Sequence, residues 1–293
     1  MTYREVWEHL RMVLVAIYPE REASAIAREV FLRILGLAPD QRVLRAREVI
    51  PQKEQLFLHQ AIQELQTGKP VQYVTGICEF LGLELKVEPG ILIPRPETEE
   101  LVVWIADELK SIAPERPIAV IDIGTGSGCM AISLATRLPT ATVSACDISQ
   151  QALRVARENA KLHQVEINFI ACDILDEAMA KDHFRKHHYD CIVSNPPYVR
   201  HSEKRQMRPN VLNFEPEQAL FVDDSDPLLF YRTIGLLARQ SLKPGGMLFL
   251  EINEFLAEET KVLLESQGFL NTEIRSDLFD KPRFLMAQNW GNF

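Results

Sequence analysis

The chain opens with apolar positions spaced three and four apart. Val6, Leu10, Val13, Leu14 and Ile17 share one face of a 3.6-residue repeat, and Ile26, Val30, Ile34 and Leu35 share another. Gly36 and Pro39 close the second helix, since glycine accepts a left-handed terminus and proline cannot continue a helix. A third stripe, Leu58, Ile62 and Leu65, stops before Gly68 and Pro70. Residues 1–70 are therefore expected to form a small helical bundle with these stripes as its core. The texture then changes. Tyr73, Val74, Phe80, Leu83, Leu85 and Val87, with Gly76 and Gly82 among them, predict a short β-hairpin or extended connector over residues 71–92.

After Pro117, short apolar strands alternate with helical segments. Strands are expected at 118–123, 142–146, 167–171, 191–194 and 247–252, with helices between them that include 150–162, 228–238 and 256–265. Strands recurring every 20 to 30 residues and joined by helices imply right-handed crossovers, hence an α/β domain whose parallel sheet is covered on both faces. Residues 272–275 and 284–287 are β-like and separated by Asp280 and Pro282, which fits an antiparallel hairpin at the sheet edge. Residues 93–293 form this second domain, and the hairpin at 71–92 links it to the first.

Charge narrows the partners. A formal net charge of −9 argues against a high-affinity polyanion binder, which needs a basic footprint to displace counterions. The five cysteines (Cys78, Cys129, Cys146, Cys172, Cys191) include no Cys-x-x-Cys pair, so metal-site spacing is absent and a reduced, buried role is expected. Glu5, Glu8 and Arg11 break the N-terminal apolar residues, unlike a signal peptide. No apolar stretch approaches the roughly 20 residues that span a bilayer. A cytoplasmic protein is expected, without metal, membrane or direct nucleic-acid contact, and nothing demands more than a monomer.

Candidate chemistry sits at strand ends. Gly124-Thr125-Gly126-Ser127-Gly128 follows the first strand and opens a helix, where glycines permit close backbone approach and free N–H groups gather. A glycine-rich turn alone fits dinucleotides equally well. The acids around it decide the matter. Asp147 ends the second strand, where a carboxylate accepts both ribose hydroxyls of a nucleoside. Asp173 follows the third, placed to accept from an adenine amino group, and Asp122 heads the loop within reach of a cationic ligand group. Pyrophosphate is anionic and disfavours such acids; S-adenosylmethionine carries a sulfonium and an ammonium that attract them.

The fourth strand leads directly into Asn195-Pro196-Pro197-Tyr198. Two prolines fix φ and remove two backbone donors, so this turn is stiff and presents acceptors. Amide and exocyclic amine nitrogens are poor nucleophiles because their lone pair is delocalised. Their two N–H groups can be held by the Asn195 side-chain oxygen and the Pro196 carbonyl, in bonds that strengthen as the nitrogen pyramidalises. Tyr198 offers a flat wall for the planar group. The residues thus point to a methyltransferase acting on a planar nitrogen. A DNA or RNA adenine-N6 methyltransferase is the rival enzyme, though such enzymes bring an unstacked base to basic, aromatic-rich surfaces. A non-catalytic cofactor-binding module and a nicotinamide oxidoreductase are further alternatives, each at odds with the intact Asn195-Pro196-Pro197-Tyr198 turn.

Beyond that turn, the chain carries Gly68-Lys69-Pro70-Val71-Gln72-Tyr73-Val74-Thr75-Gly76, Glu79-Phe80, Leu92-Ile93-Pro94-Arg95-Pro96-Glu97-Thr98-Glu99 and Phe214-Glu215-Pro216 with Ala219-Leu220. In these motifs it resembles the release factor glutamine methyltransferases, the PrmC/HemK family, over nearly its whole length. The resemblance implies a class I S-adenosylmethionine-dependent methyltransferase domain, with a mostly parallel seven-stranded sheet, behind an N-terminal helical bundle. It also implies methyl transfer to the side-chain N5 of the glutamine in the Gly-Gly-Gln loop of class 1 peptide chain release factors. By resemblance, Gly124, Thr125, Gly126, Ser127, Gly128, Asp147, Asp173, Ile174 and Asn195 contact the cofactor. Asn195, Pro196, Pro197 and Tyr198 hold the substrate glutamine, Arg95, Glu97, Thr98 and Glu99 form the pocket lip, and residues 1–70 dock the release factor. One departure stands out: where the family usually has Glu-x-Gly followed closely by Gln, this chain has Glu251-Ile252-Asn253-Glu254-Phe255.

Overall fold

Thr2 opens the first helix with a reciprocal cap. Its hydroxyl accepts from the Glu5 N–H at 3.3 Å, and the Glu5 carboxylate accepts from the Thr2 N–H at 2.8 Å. The computed structural model describes residues 1–112, 116–184 and 188–290, with 181 and 182 described by backbone alone. Helix α1 (Tyr3–Val15) packs on α2 (Glu20–Leu35), where Ala23 and Ala27 are fully buried and Trp7 meets Phe31 edge-on at 5.3 Å. Helices α3 (Pro39–Leu44), α4 (Gln52–Gln66) and α5 (Val71–Thr75) complete the bundle. Val6, Leu10, Leu14, Val30, Leu58, Ile62 and Leu65 form its core as the periodicity predicts. Ile17 does not: α1 stops at Val15, ahead of Pro19, and leaves Ile17 exposed.

The segment expected to be a hairpin is part helix. Val71–Thr75 forms α5, which Gly76 ends in the left-handed conformation at φ +74°. Five residues are too few to show a helical period, and burial of Tyr73 overrides its strand preference. The hairpin proper is β1 (Ile77–Phe80) and β2 (Leu83–Lys86). Compactness does not follow chain order. One unit joins Met1–Ile77 with Val87–Pro89 and Met207–Glu215; the other joins Cys78–Lys86, Gly90–Gln206 and Pro216–Phe293.

The second unit alternates α6 (Pro96–Ile112), β3 (Ala119–Ile123), α7 (Cys129–Arg137), β4 (Thr142–Asp147), α8 (Gln150–Leu162), β5 (Ile167–Ala171), α9 (Glu177–His183) and β6 (Tyr189–Ser194). A two-residue strand β7 (Val199–Arg200) follows, then α10 (Pro209–Phe214), which belongs to the first unit, then α11 (Glu217–Leu220) and β8 (Phe221–Val222). The chain closes with α12 (Leu229–Ser241), β9 (Leu242–Glu251), α13 (Ala257–Ser266), β10 (Leu270–Ser276) and β11 (Pro282–Asn289). Seven strands make one sheet in the order β10-β11-β9-β6-β3-β4-β5, parallel from β9 to β5 and antiparallel at β10 and β11. It is the Rossmann-like α/β sheet that the strand and helix alternation predicts. One strand begins early: Leu242 pairs with Tyr189, and residues 243–246 bulge before Met247 pairs with Cys191.

Apolar clusters cover both faces. On one, Leu101, Val102 and Ile105 of α6 and Ala131 and Leu134 of α7 lie against Val120, Val193 and Phe249; on the other, Tyr231, Ile234 and Ala238 of α12 lie against Ile121, Ile192 and Leu248. From β3 the chain steps outward to β4 and β5, then returns to place β6 on β3's opposite side. That reversal opens a crevice at the carboxyl ends of β3 and β6, where ligands of such sheets bind.

Candidate active site

Ile123 and Ser194 are register partners at the ends of β3 and β6, and the Ser194 hydroxyl donates to the Ile123 carbonyl at 2.7 Å. The glycine loop and the Asn-Pro-Pro turn therefore start side by side. In the loop, Gly124, Gly126 and Gly128 all adopt positive φ. At Gly128 space matters too, since an added Cβ would lie 3.0 Å from Ile132 Cδ1 and 3.1 Å from Ala156 Cβ. Asn159, wholly buried on α8, braces the loop from below. Its amide donates to the Ser127 and Lys86 carbonyls at 2.9 and 3.0 Å and accepts from the Lys86 N–H at 2.7 Å.

A cavity of about 380 Å³ runs along these strand ends. Gly124, Thr125, Gly126 and Ser127 line it, with Asp147, Asp173, Ile174, Asn195, Pro196 and Pro197. Ten of the site residues expected from sequence thus meet in one space; Gly128 and Tyr198 are not among its lining. Asp147 accepts from the Gly126 N–H at 2.9 Å and the Ser149 N–H at 2.8 Å, one on each oxygen. Each carboxylate oxygen keeps a further lone pair for a ligand hydroxyl. Burial raises the Asp147 pKa, against the pull of those backbone donors. Asp173 accepts from the Leu175 N–H at 2.9 Å.

Asp122 departs from expectation. It is fully buried, lies outside the cavity lining, and holds the Thr125 hydroxyl at 2.7 Å and the Ala131 N–H at 3.2 Å. Strand alternation explains this: Ile121 and Ile123 face one cluster, so Asp122 points to the other side, into the first turn of α7. Burial pushes its pKa up to about 7.

The cavity wall at the Asn-Pro-Pro-Tyr turn is organised by side chains far apart in sequence. Asn195 Nδ2 donates to Thr98 Oγ1 at 3.2 Å, the Thr98 hydroxyl donates to Glu251 Oε2 at 2.6 Å, and the Tyr198 hydroxyl donates to Glu251 Oε1 at 2.9 Å. Burial raises Glu251's pKa, and burial followed by the Glu251 charge raises Tyr198's. Of the expected lip residues, Arg95 and Thr98 line the cavity, while Glu99 accepts from the Leu81 N–H in the hairpin turn at 2.9 Å. Among the lining residues not expected as site residues are Gly90 to Ile93 and Pro216, Gln218, Ala219 and Phe230. Their signals were the family motifs, Leu92-Ile93-Pro94 for the first group and Phe214-Glu215-Pro216 with Ala219-Leu220 for the second.

A model of the PrmC N-terminal domain matches residues 5–76, and one of the methyltransferase small domain matches residues 108–214. A release factor glutamine methyltransferase of Flavobacterium psychrophilum is 43% identical over 279 residues, covering 93% of this chain and 94% of the relative. The chain belongs to the release factor glutamine methyltransferases. A second such enzyme, of Bacteroides thetaiotaomicron, is 41% identical over 281 residues, covering 95% of this chain and 97% of the relative. The crystal structure of a methyltransferase from Pyrococcus furiosus shares the fold at a TM-score of 0.51 and 18% identity, covering 72% of this chain and 91% of that one.

Asn253 stands where the resemblance leads one to expect glycine. Its φ of −66° needs no glycine, and its side chain is fully engaged. Asn253 Nδ2 donates to the Tyr198 carbonyl and to Glu203 Oε2, both at 3.0 Å, and Oδ1 accepts from the Phe255 N–H at 2.9 Å. The asparagine thus ties the end of the Asn-Pro-Pro-Tyr turn to the strand beside it.

Proposed function

We propose that this chain methylates the side-chain amide nitrogen of the glutamine in the Gly-Gly-Gln loop of class 1 peptide chain release factors, with S-adenosylmethionine as methyl donor. The observation that carries the reading is one cavity holding both a glycine loop with strand-end carboxylates and the Asn-Pro-Pro turn. The residues present suit that donor. Asp147 has lone pairs for ribose hydroxyls, Asp173 stands at the next strand end, and Ile148, Ile174 and Leu175 give apolar walls for a purine. When bound, S-adenosylmethionine supplies an electrophilic methyl carbon on a sulfonium.

The chain's part is holding and aiming. Asn195 Oδ1 and the Pro196 carbonyl accept the two N–H groups of the carboxamide. Those bonds tighten as the nitrogen loses its planarity, so they favour the transition state over the ground state. The stiff proline turn keeps the nitrogen in line with its target, and alignment of that kind is worth several orders of magnitude in rate. The helical domain at residues 1–70 docks the release factor, and the enzyme works as a cytoplasmic monomer without binding nucleic acid. No helix among the described residues is long and apolar enough to cross a membrane.

The test is methyl transfer from labelled cofactor to a purified release factor, to the same factor with its loop glutamine changed to alanine, to DNA and to RNA. One monomethylated glutamine in the loop, found by mass spectrometry, is the expected product. Label in nucleic acid, or none in the intact factor, would overturn the reading.

A further inference from the structure

Asn195 can serve a carboxamide only if its own amide is turned the right way. An asparagine side chain offers an oxygen on one side and an NH₂ on the other, and the two orientations differ little in shape. The reaction proposed above needs the oxygen toward the substrate nitrogen. Nothing within the turn chooses between them; the choice is made by the residues behind it.

Glu251 is 1% exposed and Thr98 is 2% exposed, so solvent cannot substitute for either partner. An ionised carboxylate has no hydrogen to give. The 2.6 Å contact between Thr98 Oγ1 and Glu251 Oε2 is therefore made by the threonine's only hydroxyl hydrogen. With that hydrogen committed, Oγ1 can only accept from its other neighbour. The Asn195 atom 3.2 Å away must be the donating nitrogen, which leaves Oδ1 as the atom Asn195 offers to the cavity it lines. The Tyr198 hydroxyl, 2.9 Å from the other carboxylate oxygen, keeps Glu251 from turning.

We propose that Thr98 and Glu251 are positioning residues, a one-way hydrogen-bond chain that sets the polarity of Asn195 and so restricts the enzyme to substrates presenting an N–H donor. The inference rests on the functional reading given above. It also assigns a purpose to the threonine of the Arg95-Pro96-Glu97-Thr98-Glu99 segment, which sits in the first turn of α6 and reaches β9 across 153 residues of sequence.

The chain has a reversal point. A protonated Glu251 donates to Thr98, which frees the threonine hydroxyl to donate toward Asn195 and turns its NH₂ to the substrate. Burial holds the Glu251 pKa above the ordinary carboxylate range, aided by Glu97 on α6; hydrogen bonds from Thr98 and Tyr198 and the charge of Arg283 on β11 oppose this. Tyr231 on α12 also lies in the field of Glu251. Turnover should therefore fall as pH drops through a value above that of an ordinary glutamate.

The experiment compares wild type with Thr98→Val, which removes the hydroxyl at nearly constant shape, and Thr98→Ser, which restores it. Thr98→Val should lower kcat roughly 10- to 100-fold, keep S-adenosylmethionine affinity within about twofold, and lose the acid limb of the pH profile. Thr98→Ser should recover most of the rate and the limb. Binding of a Gly-Gly-Gln peptide over its Gly-Gly-Glu counterpart, strong in wild type, should weaken in Thr98→Val. Wild-type kcat with an unchanged glutamine preference in Thr98→Val would overturn the proposal, and so would a serine variant as slow as the valine one. If the wild-type chain transfers no methyl to the release factor, the functional reading fails on its own. The polarity chain is then judged by the Asn195 side-chain amide signals in 15N-labelled protein, assigned by their loss in Asn195→Asp. A shift between wild type and Thr98→Val supports it, and identical signals sink it.

Discussion

At the glycine-loop end of the cavity, carboxylates are held by nearby backbone. Asp147 takes the N–H groups of Gly126 and Ser149, 21 and 2 residues away, and Asp173 takes that of Leu175, 2 residues away. At the Asn-Pro-Pro-Tyr end, Glu251 takes two side-chain hydroxyls, from Thr98 and Tyr198, 153 and 53 residues away. The first arrangement fixes a shape, because backbone donors stay wherever the turn folds. The second fixes a polarity, because each hydroxyl can be donor or acceptor until a charged neighbour decides. A cofactor of constant form suits a moulded receptacle, whereas a weak nucleophile needs its acceptors oriented.

Three substitutions sharpen that contrast. The largest effect is expected at the polar end: Asn195→Ala should reduce kcat roughly 100- to 1,000-fold, the usual cost of deleting one preorganised transition-state contact. Its affinity for S-adenosylmethionine, measured by titration, should stay close to wild type. An active Asn195→Ala enzyme would end the amide-clamp reading. At the moulded end, Asp147→Ala should instead weaken cofactor affinity by roughly 10- to 100-fold, the value of hydrogen bonds to a charged group. Its kcat at saturating cofactor should change little. Unchanged affinity would remove Asp147 from the ribose role.

The smallest effect is thermodynamic. Asp122 has a folded pKa of about 7 against an ordinary 3.8, so the fold favours its protonated form. That contribution is fully present below the ordinary value and is lost as pH rises toward 7. Asp122→Asn, neutral at every pH, should melt roughly 5 °C above wild type at pH 8 and show little difference at pH 4. A thermal shift indifferent to pH would mean that Asp122 is not buried as an acid.

The same contrast explains what the sequence disclosed. The glycine loop, Asp147 and Asp173 are local signals on strand ends, and the parallel sheet followed from alternating periods. Even the ends of α8 and β5 fall where the pattern put them, at 150–162 and 167–171. Asp122 was misplaced because a motif names a position without saying which face of the strand it occupies. The helix Val71–Thr75 escaped because most of its residues prefer strands and five positions are too few to show a helical period. Thr98 and Glu251 were visible only as letters of family motifs, since their partnership exists only once β9 lies beside β6 and α6 covers both.

Asn159 has a consequence for how the enzyme loosens. One fully buried side-chain amide closes on both backbone polar groups of Lys86 and on the Ser127 carbonyl. Strand β2 cannot fray without stranding an uncompensated dipole beneath the glycine loop, and the loop cannot lift without doing the same to β2. The two segments, joined at Lys86 and Ser127, behave as a single cooperative unit of local unfolding.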